Sequence, residues 1–169
     1  MIGNLKNYFN NYTLHTLHYS NVKQKTSEEV IKYSTKLYQE MFDMMCNNLH
    51  NEDSGLIFDR THLGEMVYGN IYRGYIGDYV LEIEKSVKHI LDIKNNLFLI
   101  TLIDEAQNLI AREDGLSFST DLDKKQREIE LFQTAHESSN IKNKLIINIK
   151  DKDAETVFLE VISYINSHY

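Results

Sequence analysis

The sequence predicts an α/β domain with a mainly parallel sheet, and three observations carry that expectation. Four short apolar runs have strand character, longer amphipathic helices separate them, and no linker, repeat or low-complexity block divides the 169 residues. Strands that alternate with helices need crossover connections, which join parallel neighbours. A length of 169 residues suits one core of ordinary size, so 1–169 is read as a single domain.

In chain order, residues 13–19 alternate and are rich in strand formers, which predicts the first strand. Ser27 reads as the cap of a helix reaching about Leu49, with Glu28 and Glu29 in its first turn. Val30, Ile31, Ser34, Leu37, Tyr38, Met41, Phe42 and Met45 recur along one face of it at helical spacing. The short apolar run 55–59 predicts a buried strand. A helix over 78–93 follows, its stripe formed by Tyr79, Val80, Ile83, Val87, Ile90 and Leu91. Residues 97–102 and 144–149 predict two more strands, with helices over 104–112 and 122–137 between them. Val157, Phe158, Val161, Ile162 and Ile165 mark a C-terminal helix.

Composition narrows the function classes. Against 25 Asp and Glu stand 18 Lys and Arg, a net charge of −7, which opposes a direct nucleic-acid binder because such affinity comes from cations neutralising phosphates. No apolar run approaches the roughly 20 residues of a membrane span. One cysteine, Cys46, excludes an internal disulfide, and with no basic leader the expected compartment is the cytoplasm. Cys46 has no acid–base partner nearby in sequence and reads as a core thiol. His15 and His18, three apart on a strand, face opposite ways, so no metal is expected there. Zero prolines and seven glycines leave few places for glycine-dependent chemistry, and no cofactor is expected.

The informative stretch is 58–75, Phe-Asp-Arg-Thr-His-Leu-Gly-Glu-Met-Val-Tyr-Gly-Asn-Ile-Tyr-Arg-Gly-Tyr, dense in charge, aromatics and glycine. Asp59 and Arg60 stand where an apolar strand ends, the position at which open α/β sheets place their ligands. Arg60 and Arg73 suit a bidentate grip on an anion, Asp59 suits a metal or hydroxyl, and the tyrosines suit stacking. The same residues suit an ordinary strand-to-helix loop with a buried Asp–Arg pair equally well.

This run resembles the Asp-Arg-x-His-Leu-Gly-Glu-x-Val-Tyr-Gly-x-x-Tyr-Arg-Gly-Tyr stretch of phage thymidylate kinase-like proteins in the P-loop nucleoside monophosphate kinase superfamily. The likeness continues through Leu99-Ile100-Thr101-Leu102 and Arg112-Glu113-Asp114-Gly115-Leu116-Ser117, which resemble the family's fourth strand and arginine-bearing lid. Glu128-Ile129-Glu130-Leu131-Phe132 and Leu145-Ile146-Ile147-Asn148 then resemble its post-lid helix and last strand. The resemblance implies a three-layer kinase-like fold with about four mainly parallel strands. It makes Asp59 and Arg60 the monophosphate- and metal-proximal pair, Arg73 an acceptor-side arginine and Arg112 the lid arginine, with Glu65 retained beside them.

The family's Gly-rich loop ending in Gly-Lys-Ser/Thr is missing. Its backbone N–H groups cradle phosphate oxygens and its lysine neutralises developing charge. The nearest spacing, Gly69 to Gly74, is followed by Tyr75 and Ile76. The chain is expected to begin inside the helix that follows that loop, at Leu5-Lys6-Asn7-Tyr8-Phe9, without the central first strand. The remaining strands are then expected either to close up or to drive two copies together as a homodimer.

Two functions follow. The first is a non-catalytic acidic protein on a kinase-derived fold. Paired carboxylates, Glu52 with Asp53, Asp104 with Glu105, Glu113 with Asp114, Asp121 with Asp123 and Asp151 with Asp153, permit a surface that imitates nucleic-acid phosphates. Any one pair is equally the ordinary solvated face of a soluble domain. Size, acidity and the absent loop also resemble phage inhibitors of the host DNA sliding clamp that fill its DNA channel. No Gln-x-x-Leu-Phe-type clamp peptide is present; Glu130-Leu131-Phe132 is nearest, and its helical setting favours core packing. The second function is a thymidine monophosphate kinase whose glycine-rich loop is encoded upstream.

Overall fold

The computed structural model describes residues 1–18, 26–49, 51, 53–91, 97–112, 115 and 117–168. The candidate acids Glu52, Glu113 and Asp114 lie outside the described residues, as do the expected strand end at Tyr19 and the expected helix end at 92–93. In order come α1 (Ile2–Tyr8), β1 (Thr13–His18), α2 (Ser27–Asn48), β2 (Ser54–Asp59), α3 (Leu63–Tyr68), a π-turn (Gly69–Arg73), α4 (Tyr79–Leu91), β3 (Phe98–Ile103), α5 (Ala106–Ala111), α6 (Leu122–Ser138), β4 (Asn143–Asn148) and α7 (Ala154–His168).

The four strands form two parallel pairs rather than one sheet. β1 lies beside β2 from Thr13 opposite Ser54 to His18 opposite Asp59. β3 lies beside β4 from Phe98 opposite Asn143 to Ile103 opposite Asn148. The class is therefore mixed α/β with parallel pairing, and the strands have not closed up.

Side-chain alternation puts helices on both faces. Ile57 of β2 and Ile100 of β3 pack on a cluster of Leu5 from α1, Ile147 from β4, and Val157, Val161 and Ile162 from α7. Their neighbours face the other way. Phe58 meets Tyr38, Met41, Phe42 and Met45 of α2 and Val80 and Ile83 of α4, while Leu99 meets Leu63, Ala135 and Ile141. Met41 and Phe42 are fully buried, so the apolar stripe of α2 is the centre of that layer. Half-buried Cys46 packs against the same cluster, and burial, then Asp43, raises its thiol above the ordinary value.

The cap of α2 is Thr26, one residue before the expected Ser27. Its hydroxyl accepts from the Glu29 backbone N–H at 3.2 Å, and the Glu29 carboxylate accepts from the Thr26 N–H at 3.1 Å, a reciprocal pair that satisfies two orphan donors. At the other end of the fold, the Lys144 ammonium donates to the carbonyls of His136, Glu137 and Ser139 at 2.9–3.0 Å and so closes the C-terminus of α6.

Candidate functional site

The chain leaves β2 at Asp59 and turns sharply at Arg60, whose φ of 69° is in the left-handed region that costs a non-glycine residue about 1–2 kcal/mol. Arg60 is exposed and Asp59 half-buried. The turn delivers His62 into the interior and starts α3, which runs on into the π-turn, ended by Gly74 at φ 71°. The chain then doubles back so closely that a Cβ on Gly77 would lie 2.3 Å from the Glu65 carbonyl oxygen, which requires glycine there.

Glu65 is the centre of this turn. Its side chain is almost fully buried and accepts from the Arg73 guanidinium at 2.7 Å, from the Tyr79 hydroxyl at 3.0 Å, and from the Tyr75 hydroxyl. Burial and the bond to Glu65 push the Tyr75 hydroxyl up to about 12, and burial with Glu65 raises Tyr79 further. Both phenols stay protonated near neutrality and serve as donors, not as bases.

A second buried carboxylate braces the same segment from α4. Glu84 accepts from Ser139 Oγ at 2.6 Å, from Asn140 Nδ2 at 3.0 Å and from the Asn140 backbone N–H, and it meets His62 Nε2 at 3.1 Å. Burial alone would raise its pKa; His62, Ser139 and Asn140 outweigh that and hold it down at about 2. His62 and Glu65, which share a helical face in the sequence, thus have different partners.

The outer side of α3 carries aromatics. Tyr68 approaches Phe118 and Phe132, Tyr72 of the π-turn lies against Tyr68 and Phe118, and the Tyr72 hydroxyl donates to Glu128, which Lys125 also pairs at 3.1 Å. Burial and Glu128 raise the Tyr68 hydroxyl, against the pull of the Arg60 and Arg73 charges. Phe132, from the segment nearest to a clamp peptide, packs edge-on against Tyr68 with ring centres 5.7 Å apart.

Arg112 belongs to a separate arrangement. It follows α5 and pairs at 2.9 Å with Asp104, which comes directly after β3. The other Asp104 oxygen accepts from the Glu105 N–H at 2.7 Å and from Asn108 at 2.8 Å. Asp104 is therefore an internal anchor rather than a surface charge. Glu105 is paired with Lys150. Asp121 caps α6 through the Lys124 N–H, and Asp153 accepts from the Thr156 N–H at 2.8 Å. Asp53, Asp121, Asp123, Asp151 and Asp153 are exposed.

No known family model, curated protein or solved structure matches this chain.

The expected site residues accordingly fall into two groups. Glu65 and Arg73 are bonded to each other, Arg60 acts on the neighbouring Tyr68, and Arg112 is paired with Asp104 at the end of the second strand pair. Glu84, Glu128, Lys125 and Phe118 were not singled out from the sequence. Glu84 had a signal: it lies on the stripe Val80, Ile83, Val87, and an acid on such a stripe needs buried partners. Arg73, Arg112 and the Tyr72, Tyr75 and Tyr79 hydroxyls are bound to carboxylates, whereas Arg60 is exposed.

Proposed function

We propose that the chain is a non-catalytic acidic phage protein that binds and inhibits a host DNA-replication protein, most specifically the sliding clamp, by occupying its DNA channel. The observation that carries this reading is the internal pairing of the expected acceptor-side and lid arginines: Arg73 with Glu65 and Arg112 with Asp104. Phosphoryl transfer needs such donors aimed at the transferred group, and it needs the absent glycine-rich loop and lysine. The net charge of −7 and the exposed carboxylates Asp53, Asp121, Asp123, Asp151 and Asp153 support a basic partner. A ring that encircles DNA presents such a basic surface, and complementary charge speeds and selects the encounter. The resemblance to phage clamp inhibitors narrows the partner. The reading includes a homodimer in the host cytoplasm, no cofactor, and no direct contact with nucleic acid or membrane; no helix among the described residues is long and apolar enough to cross one.

The test is capture of purified host clamp by the purified chain, followed by challenge with primed DNA. A complex that excludes DNA supports the proposal, and no complex at micromolar concentration removes the clamp as partner. The second reading, a thymidine monophosphate kinase completed by a loop encoded upstream, is favoured by exposed Arg60, held at a strained φ at the end of β2. The coding sequence immediately upstream separates the two: an in-frame Gly-x-x-x-x-Gly-Lys-Ser/Thr there supports the kinase and an in-frame stop codon opposes it, while a coupled assay with ATP and dTMP is expected to show no turnover from these 169 residues.

A further inference from the structure

The corner where α6 hands over to β4 is tied down from three elements. The Lys144 ammonium of β4 sits on the carbonyls of His136, Glu137 and Ser139, and Glu84 of α4, itself paired with His62, holds Ser139 and Asn140. His136 is the third tie. Its ring is 5% exposed, and Nδ1 lies 2.8 Å from Thr101 Oγ1 of β3. A neutral ring accepts there from the threonine hydroxyl and so fastens the last turn of α6 to the strand.

A proton on that ring is disfavoured twice. Burial opposes any new charge, and the charge facing the ring from β4 is the Lys144 ammonium, of the same sign. Glu137, exposed on α6 itself, acts the other way. From β3 the ring meets the uncharged Thr101 hydroxyl. Of the other helices packed on α6, α5 carries no ionisable side chain, and in α3 Glu65 is bound to Arg73 while Tyr68 lies against Phe132. Burial first, then Lys144, therefore hold His136 below its ordinary value. Opening the corner returns the ring to water, where it takes up a proton near 6.5, so the closed form is complete above about 6.5 and is lost as pH falls below it. We propose that this corner is an acid-released latch: between pH 7 and pH 5 the end of α6 and residues 139–141 come away from β3 and Lys144 while the core around α2 stays closed. Glu84 keeps its charge throughout that range. The proposal stands apart from the clamp partner, because neither the exposed acids nor the channel enters it.

The test is amide hydrogen exchange of the full chain at pH 7 and pH 5, read residue by residue by NMR and corrected for intrinsic exchange rates. The amides of Ser139, Asn140 and Ile141 are bonded to the Ala135 carbonyl, Glu84 and Ser139 Oγ. Their protection is expected to fall about tenfold at the lower pH, the size linkage gives for one buried ring returned to its ordinary 6.5. The amides of Met41 and Phe42, fully buried in α2, should change little. His136→Gln, which takes up no proton, should remove the difference between the two pH values. Lys144→Met should lower protection at both and shrink the difference. Should His136→Gln fail to fold, the NMR titration of the His136 ring in the unaltered chain decides: a midpoint below 6.5 that tracks the loss of protection supports the latch, and one at or above 6.5 overturns it. Equal protection at pH 7 and pH 5, a loss shared equally by Met41 and Phe42, or a difference that survives His136→Gln each overturn the proposal. No partner enters these readings, so failure of the latch and failure of the clamp reading are distinguishable.

Discussion

Glu65 and Glu84 hold the turn beside Arg60 from opposite sides, one through Arg73 and two tyrosines, the other through His62 and the 139–140 backbone corner. A buried carboxylate whose partners remain while its charge is removed leaves donors unsatisfied and a cation unpaired. Glu65→Gln is therefore expected to cost about 3 kcal/mol in urea unfolding, the lower end for breaking a buried ion pair. For Glu84 the native pKa is depressed from 4.5 to about 2, so its contribution is complete above the ordinary carboxylate range and is lost as pH falls from about 4.5 toward 2. The loss is on the order of 3 kcal/mol, and Glu84→Gln should flatten that part of the stability–pH curve in thermal melts. Gly77→Ala forces a Cβ against the Glu65 carbonyl and should lower stability by about 1–3 kcal/mol. Little of this was legible in advance. Glu84 was marked by its place on an apolar stripe, but Glu65 sits in a run that mixes charged, aromatic, apolar and glycine residues without a regular period, and the pattern cannot say which of them turns inward.

At the scale of elements the sequence was far more informative. Strands of Leu, Ile, Phe and Thr and the stripes of α2 and α4 were recognisable because the periods of two and 3.6 survive in them. α3 and the π-turn were hidden by Gly64, Gly69 and Gly74, which punctuate the run as a loop would. Strand pairing was not legible either, since apolar alternation shows that a strand is buried and not beside which neighbour. The helix ends supply a direct check. Lys144→Met removes three charge-assisted bonds to the end of α6 and should cost about 1.5–3 kcal/mol, measured by chemical unfolding. Thr26→Ala removes the cap of α2 and should cost about 1 kcal/mol.

Across the molecule, acids are either spent inside or left outside. Asp104, Glu65, Glu84 and Glu128 are buried and bonded, so the negative charge available to a partner comes from others, among them Asp53, Asp123 and Asp151. If that outer charge steers binding, affinity for a basic partner falls steeply with salt. Two strand pairs instead of one sheet leave β2 and β3 each with a single strand neighbour among the described residues, the circumstance under which the homodimer is proposed. Sedimentation at micromolar concentration should show a dimer, and a stable monomer would contradict that part of the account. Occupation of the clamp's DNA channel is checked by calorimetric titration of the chain into purified host clamp, with and without primed DNA on the ring. Saturable binding to the empty clamp, weakened by salt and abolished by bound DNA, is expected; binding that DNA leaves unchanged, or no binding at all, rules out occupation of the channel.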